Sequence, residues 1–483
     1  MSSMSNELLS VLDYYLGSEA IAFDEAKCDQ LRAKMSEIRF DDTTRAVIGS
    51  TPEVWRALST NLRMLRNIKA TSTADKERTT FLIRTVISLV MNLLAGGEDV
   101  QKQAMLYVKS ELFDTLDDEN VIESGLAVHS VRALVNLGAA NNAVKDELWP
   151  DFLSRFTPES IDRICASFNH EGYSALLIFV VGCVGTAEER ASIFMKSPGG
   201  RRIYLKFIEH VDSWMQSTGD QNFDLMYKIT QSLIQGGYFP DIYSLCSDPI
   251  EQPSGNQLVA MKLLDGYLSS PKTVTAINCI ELAQFLYKDT FVELGKPLAI
   301  QIMSKKIDNP HSERVASFLT VSVECMTSLT SISQEIRNLF IELGCIPELI
   351  DLLRRADELI PRKTLKTQQA SEQSTSKAYE FPDLKRQIVG LLSYLVEGNR
   401  VAQDQIRTSG GLPVVLSQCN IDDNNPFIRE YAILLIKNLL ADNQENQDFV
   451  ASLEAREAVT SDALHEAGYE TSIIDGKVSL RKR

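Results

Sequence analysis

The sequence predicts an all-α protein built as an armadillo/HEAT-like right-handed helical solenoid, with a small β-hairpin at its C-terminal end. Three observations carry that expectation. Apolar residues fall at helical spacing almost everywhere, the most apolar helices recur at an interval in the low forties, and glycine–proline turns punctuate the stretches between them. A chain of 483 residues is too long for one compact core, so either several domains or one long solenoid must organise it. The apolar fraction of 44% suffices for a large interior.

The apolar helices lie at 81–94, 127–137, 175–184, 226–234, 258–268, 387–396 and 427–440. In the last of these only Arg429, Glu430, Lys437 and Asn438 interrupt the apolar run, so it is expected to be buried between neighbours. A fixed interval shows in two places. Leu395-Val396-Glu397-Gly398-Asn399 aligns with Leu439-Leu440-Ala441-Asp442-Asn443 at an offset of 44, and Asn92-Leu93 precedes Asn136-Leu137 by the same 44. The turns read Leu343-Gly344-Cys345-Ile346-Pro347 and Ser409-Gly410-Gly411-Leu412-Pro413. Proline suits the first helical turn, where a missing N–H costs nothing. A repeat in the low forties whose third helix is apolar and ends in Asn-Leu points to armadillo units. Between 142 and 336 the pattern predicts helices without a readable register.

Residues 361–381 are rich in Ser, Thr and Gln and poor in branched apolar side chains, so they read as a flexible polar linker. They separate N-terminal degenerate armadillo-like repeats (1–360) from a C-terminal armadillo block (382–458), which a tail (459–483) follows. Within the tail, Asp475-Gly476 is a hairpin signal.

Charge and cysteine usage narrow the function. Lys plus Arg number 49 against 65 acidic residues, a net charge of −16, so nucleic-acid binding is not expected. The eight cysteines stand singly, as reduced thiols do in the cytoplasm, the expected location. The longest uninterrupted apolar run, 175–185, is too short to span a bilayer, so no membrane insertion is expected. The five histidines stand far apart, at metal-ligand spacing neither from one another nor from a cysteine, and no phosphate loop, zinc-protease motif or nucleophile elbow occurs. His129 reads as a satisfied core residue, Cys183 and Cys325 as small core hydrophobes, and 114–119 as a solvated acidic turn. No enzyme activity, metal or cofactor is expected.

Armadillo third helices line a concave face, where an asparagine amide can offer a donor and an acceptor to a bound peptide backbone. Asn92, Asn136 and Asn438, with Lys437 beside the last, are therefore the candidate partner-binding residues. The competing reading is that these amides bond neighbouring turns of the same protein. The expected partners are other proteins, and a second copy of the chain is left open.

The C-terminal block resembles a known family. Gln418-Cys419-Asn420-Ile421-Asp422-Asp423-Asn424-Asn425-Pro426-Phe427-Ile428-Arg429-Glu430, followed by Lys437-Asn438-Leu439-Leu440, looks like the hallmark of the ataxin-10 family. Leu384-Lys385-Arg386 fits the same pattern, Leu65-Arg66-Asn67 resembles it more weakly, and the divergent N-terminal part is similar to the fungal members called copper transport protein 86. The resemblance implies a non-catalytic cytoplasmic scaffold regulating cytokinesis or cell division; an assembly factor gripping a folded client is the alternative. Copper(I) carriage wants clustered cysteine or methionine sulfur, which this sequence lacks, so no direct copper binding is expected. Within the motif, Asn425-Pro426 reads as N-cap and first residue of the following helix.

Overall fold

Each ladder of helices in this protein grows from one recurring corner. An apolar helix ends, a short turn follows, and an asparagine caps the next helix: Asn141 accepts from Val144 N at 3.2 Å, Asn399 from Ala402 N at 3.1 Å and Asn443 from Asn446 N at 2.9 Å. At the Asn443 corner, and at two others capped by Ala187 and Ser333, a long polar side chain three or four residues past the cap reaches back seven residues to a carbonyl at the end of the apolar helix. Arg190 Nε does so to Cys183 O at 2.9 Å, Arg337 Nε to Thr330 O at 2.8 Å and Gln447 Nε2 to Leu440 O at 2.8 Å. Those carbonyls have no partner within their own helix, and the arginines also suit its negative end.

The computed structural model describes residues 3–16, 25–68, 72–185, 187–270, 278–304, 311–363, 381–453, 462–474 and 477–482. The described residues are overwhelmingly helical, and the contacts divide the chain into two units, Met1–Ser247 and Asp248–Arg483. In the first, Thr73–Leu94, Ala127–Leu137, His170–Val184 and Gln221–Gln235 stack in succession, each against the next. In the second, Gly255–Leu268, Ser312–Ile332, Leu384–Val396 and Ile428–Leu440 do the same. These two ladders contain all seven apolar helices read from the sequence. The unread member is Ser312–Ile332, whose apolar run is broken by hydroxyls. The structure satisfies these on the helix's own backbone, as with Ser322 Oγ to Phe318 O at 2.8 Å and Thr327 Oγ1 to Val323 O at 2.8 Å.

Ser312–Ile332 is longer than the apolar run 175–185 singled out in the sequence. By length and composition its 21 residues, with a mean hydropathy of 1.4 over an 18-residue window, could cross a bilayer, yet it packs between Gly255–Leu268 and Leu384–Val396 as a core helix. The turns fall where expected: Gly344 and Gly410 take the left-handed conformation, at φ 82° and 68°, and Pro347 and Pro413 sit in the first turn of the helices that follow. Upstream of Ser312–Ile332 the backbone widens into a π-helix over Leu286–Gly295, a departure from 3.6-residue spacing that hides the register there.

The segment 361–381 falls within the second unit, and its residues 364–380 lie outside the described residues. At the C-terminal end β1 (Tyr469–Ile474) pairs antiparallel with β2 (Lys477–Lys482), Tyr469 opposite Lys482, while the Asp475-Gly476 turn lies outside the described residues.

Candidate protein-interaction surface

The motif at 418–427 is a knot of hydrogen bonds around one carboxylate. Asp422 Oδ1 accepts from the backbone of Lys363 at 3.1 Å and of Asn424 at 3.2 Å, and Oδ2 from Asn425 Nδ2 at 2.9 Å. Lys385 Nζ stands 2.8 Å from the same Oδ2, both side chains only 2% exposed. Burial alone would push the Asp422 carboxyl up; Lys385 and the surrounding N–H donors outweigh it and hold it below the usual range. Asn425 Oδ1 accepts from Arg386 N at 3.2 Å, and Asn424 O from Asp383 N at 2.8 Å. Asn425 thus caps Leu384–Val396, not its own helix as the sequence reading has it. The N-cap of Ile428–Leu440 is Phe427, at φ 63° and 70% exposed. Gln418 is buried and bonds back to Val414 O at 3.1 Å, and Asn420 Nδ2 donates to Ser417 O at 3.0 Å. Cys419 is half-buried; Asp423 and Pro426 are exposed.

Among the described residues Ile428–Leu440 is the last helix of its ladder, and they cover only part of it. Ile428, Ala432, Leu435 and Leu439 are buried, whereas Tyr431, Ile433 and Leu434 are 40%, 52% and 47% exposed. The expectation of a helix enclosed by neighbours is therefore corrected: the residues packed against it cover one side. Tyr431 leans on the preceding ladder helix, where a Cβ at Gly390 would lie 3.6 Å from its ring, and Tyr394 is 41% exposed on that helix. Lys437 is exposed and Asn438 half-buried. Asn438 Nδ2 lies 3.4 Å from Ser393 O and 3.3 Å from Ser393 Oγ, while its backbone carbonyl accepts from Gln403 Nε2 at 2.8 Å.

The first ladder repeats that stitch. Asn136 Nδ2 donates to Met91 O at 3.1 Å, and its carbonyl accepts from Gln101 Nε2 at 3.1 Å. Asn92 is half-buried. Asn136 and Asn438 thus join successive ladder helices through their amide nitrogens, and among the described residues their amide oxygens take no protein donor.

Residues 384–481 match the model of the Spinocerebellar ataxia type 10 protein domain. An ataxin-10 homolog of Debaryomyces hansenii is 42% identical over 193 residues, which cover 40% of this chain and 38% of the relative. The C-terminal block of this chain, residues 384–481, is similar to the ataxin-10 family's domain. A Candida glabrata ataxin-10 homolog is 50% identical over 106 residues, 22% of this chain and 20% of that one. Xenopus tropicalis ataxin-10 is 25% identical over 257 residues, 50% of this chain and 51% of that protein. The matched stretches therefore span about half or less of these relatives. Among solved structures the chain is similar to Uso1-2, at 15% identity and a TM-score of 0.38, covering 84% of this chain and 53% of that one.

The ataxin-10 match includes Lys385, Asp422 and Asn425 of the knot, Tyr394 and Tyr431, and all of the hairpin but Lys482. The weaker upstream trio Leu65, Arg66 and Asn67 lines a cavity of about 610 Å³ with Asp118 and Asn120. The acidic stretch at 114–119 is more than a solvated turn: Asp114 pairs with Arg155 at 2.8 Å, Asp117 with Arg163 at 3.0 Å, and Asp118 caps the next helix. Cys183 and Cys325 are buried, and burial pushes the Cys183 thiol up to about 12, which keeps it protonated and unreactive. Among the described residues no group of three or more His, Cys, Asp or Glu is placed to hold a metal ion. His129 corrects its reading as a satisfied core residue, since it is half-buried with Nδ1 shielded from water and unpartnered. Tyr394 and Tyr431 are missed by the sequence reading, which singles out Phe427 only as part of the motif, because helical spacing marks apolar positions without saying which ladder helix is the last.

Proposed function

We propose that this ataxin-10 family chain is a non-catalytic cytoplasmic scaffold serving cell division, and that it captures protein partners on the last two ladder helices of its C-terminal block. The observation that carries the reading is the shared exposure of Phe427, Tyr431 and Leu434 along one side of Ile428–Leu440 and its N-cap, with Tyr394 one turn beyond Gly390 on Leu384–Val396, while Ile433 is exposed on the other side of its helix. Apolar and aromatic side chains gathered on one surface mark an interaction site, and aromatic residues supply most of the binding energy at such sites. Lys437 and Asn438 add a cation and an available amide oxygen beside them. Asn92 and Asn136 hold the corresponding place on the first ladder, where the available amide oxygen is that of Asn136.

The test is affinity capture by the tagged full chain from cell extract, read by mass spectrometry, with a Tyr431→Ser/Leu434→Ser variant in parallel. Both residues are substantially exposed, so the variant should fold, and circular dichroism checks this. Proteins retained by the parent should fall by about tenfold or more in the variant. Undiminished retention would move the site elsewhere. Retention of nascent subunits alone, without stable regulatory complexes, would favour an assembly factor over a scaffold.

A further inference from the structure

In the register set by Asn136 and Asn438, His129 and Arg132 of the first ladder stand where the second has Tyr431 and Leu434, and we propose that this first-ladder surface binds an acidic peptide segment of a partner protein. The seat is formed by Arg84 on Thr73–Leu94 and by His129 and Arg132 on Ala127–Leu137. Register brings them together. The Asn136–Met91 hydrogen bond aligns residues 45 apart on these two stacked helices. Arg84 and His129 stand that same interval apart, two turns nearer the helix starts. Arg84 is exposed and has no ion-pair partner among the described residues.

His129 is half-buried, and its Nδ1 is out of water without a hydrogen-bond partner. The helices packed against Ala127–Leu137 are Thr73–Leu94, Glu98–Leu116 and His170–Val184. The charged groups acting on His129 are Arg84 from the first, Glu171 from the last, and Arg132 on its own helix. Arg132 Nη2 donates to Glu171 Oε2 at 3.0 Å, a pair exposed enough, at 39% and 73%, to exchange for a bound carboxylate at little cost. On a chain of net charge −16 this local excess of cations marks the ligand as anionic, and two guanidinium forks suit carboxylates along an extended chain. The seat is independent of the C-terminal surface.

Proton uptake should accompany binding. Burial, then Arg84 and Arg132, hold the free imidazole below its usual range, with Glu171 opposing them. His129 is therefore neutral at pH 7, and a bound carboxylate favours its charged form, so binding tightens as pH falls.

The experiment is fluorescence anisotropy of labelled octaglutamate against the full chain at low salt, with octalysine as the control. Octaglutamate should bind, and Arg84→Gln should weaken it about tenfold while leaving melting unchanged. Affinity should rise between about pH 7.5 and about pH 6, and His129→Gln should abolish that rise without changing affinity at the higher pH. Arg201 serves as a second control, because with Lys196 and Arg202 it lines a separate cavity of about 330 Å³. Absence of octaglutamate binding, equal binding of octalysine, indifference to Arg84→Gln, or an equal loss with Arg201→Gln would each overturn the proposal.

Discussion

At Asp422 a carboxylate is withdrawn from water and surrounded by the backbones of Lys363 and Asn424, the Asn425 amide and the Lys385 ammonium. Removing one partner of such a buried pair leaves the other charged and unpaired, whereas removing both leaves neither. Lys385→Met should therefore cost about 3–5 kcal/mol, and Lys385→Met/Asp422→Leu should recover much of it; urea unfolding of both variants measures the difference. Equal losses in both would show that the pair itself is not what the fold depends on. The sign of the pH dependence follows from the depressed Asp422 carboxyl. Its contribution is complete above the unfolded value, about 3.9, and is lost as pH falls through the lower folded value. The parent should therefore lose stability in acid more steeply than the double variant.

Between neighbouring ladder helices, Asn438 makes two long hydrogen bonds to Ser393, at 3.3 and 3.4 Å. Asn438→Ala should accordingly cost about 1 kcal/mol in thermal or urea unfolding. A loss beyond about 3 kcal/mol would make the residue a structural keystone and remove it from the proposed surface. The asparagines are legible in the sequence as Asn-Leu at the ends of apolar helices, but their bonds are not, because each partner lies 45 residues away. The ladder helices are legible wherever apolar spacing is unbroken, and obscured in Ser312–Ile332 by hydroxyls that turn back on their own helix. The 418–427 motif is legible as a family mark, while its role is not. Asn425 reads as the cap of the helix it precedes, and only the packing shows it capping Leu384–Val396.

Across the whole molecule, the polar composition of 361–381 predicts that limited proteolysis cuts there first. The described residues on both sides of that stretch are held by one turn: Lys363 bonds Asp422 and Asp423, Asp383 bonds Asn424, and Phe381 is buried. The nicked chain should therefore run as a single particle in native gel filtration, and separation of the two fragments would contradict it. Partner capture is assigned to the exposed side of Leu384–Val396 and Ile428–Leu440. Hydrogen–deuterium exchange of the full chain, alone and with its retained partner, locates that surface. New protection is expected to concentrate in Leu384–Val396 and Ile428–Leu440. Protection that leaves both helices unchanged while appearing elsewhere would contradict that assignment.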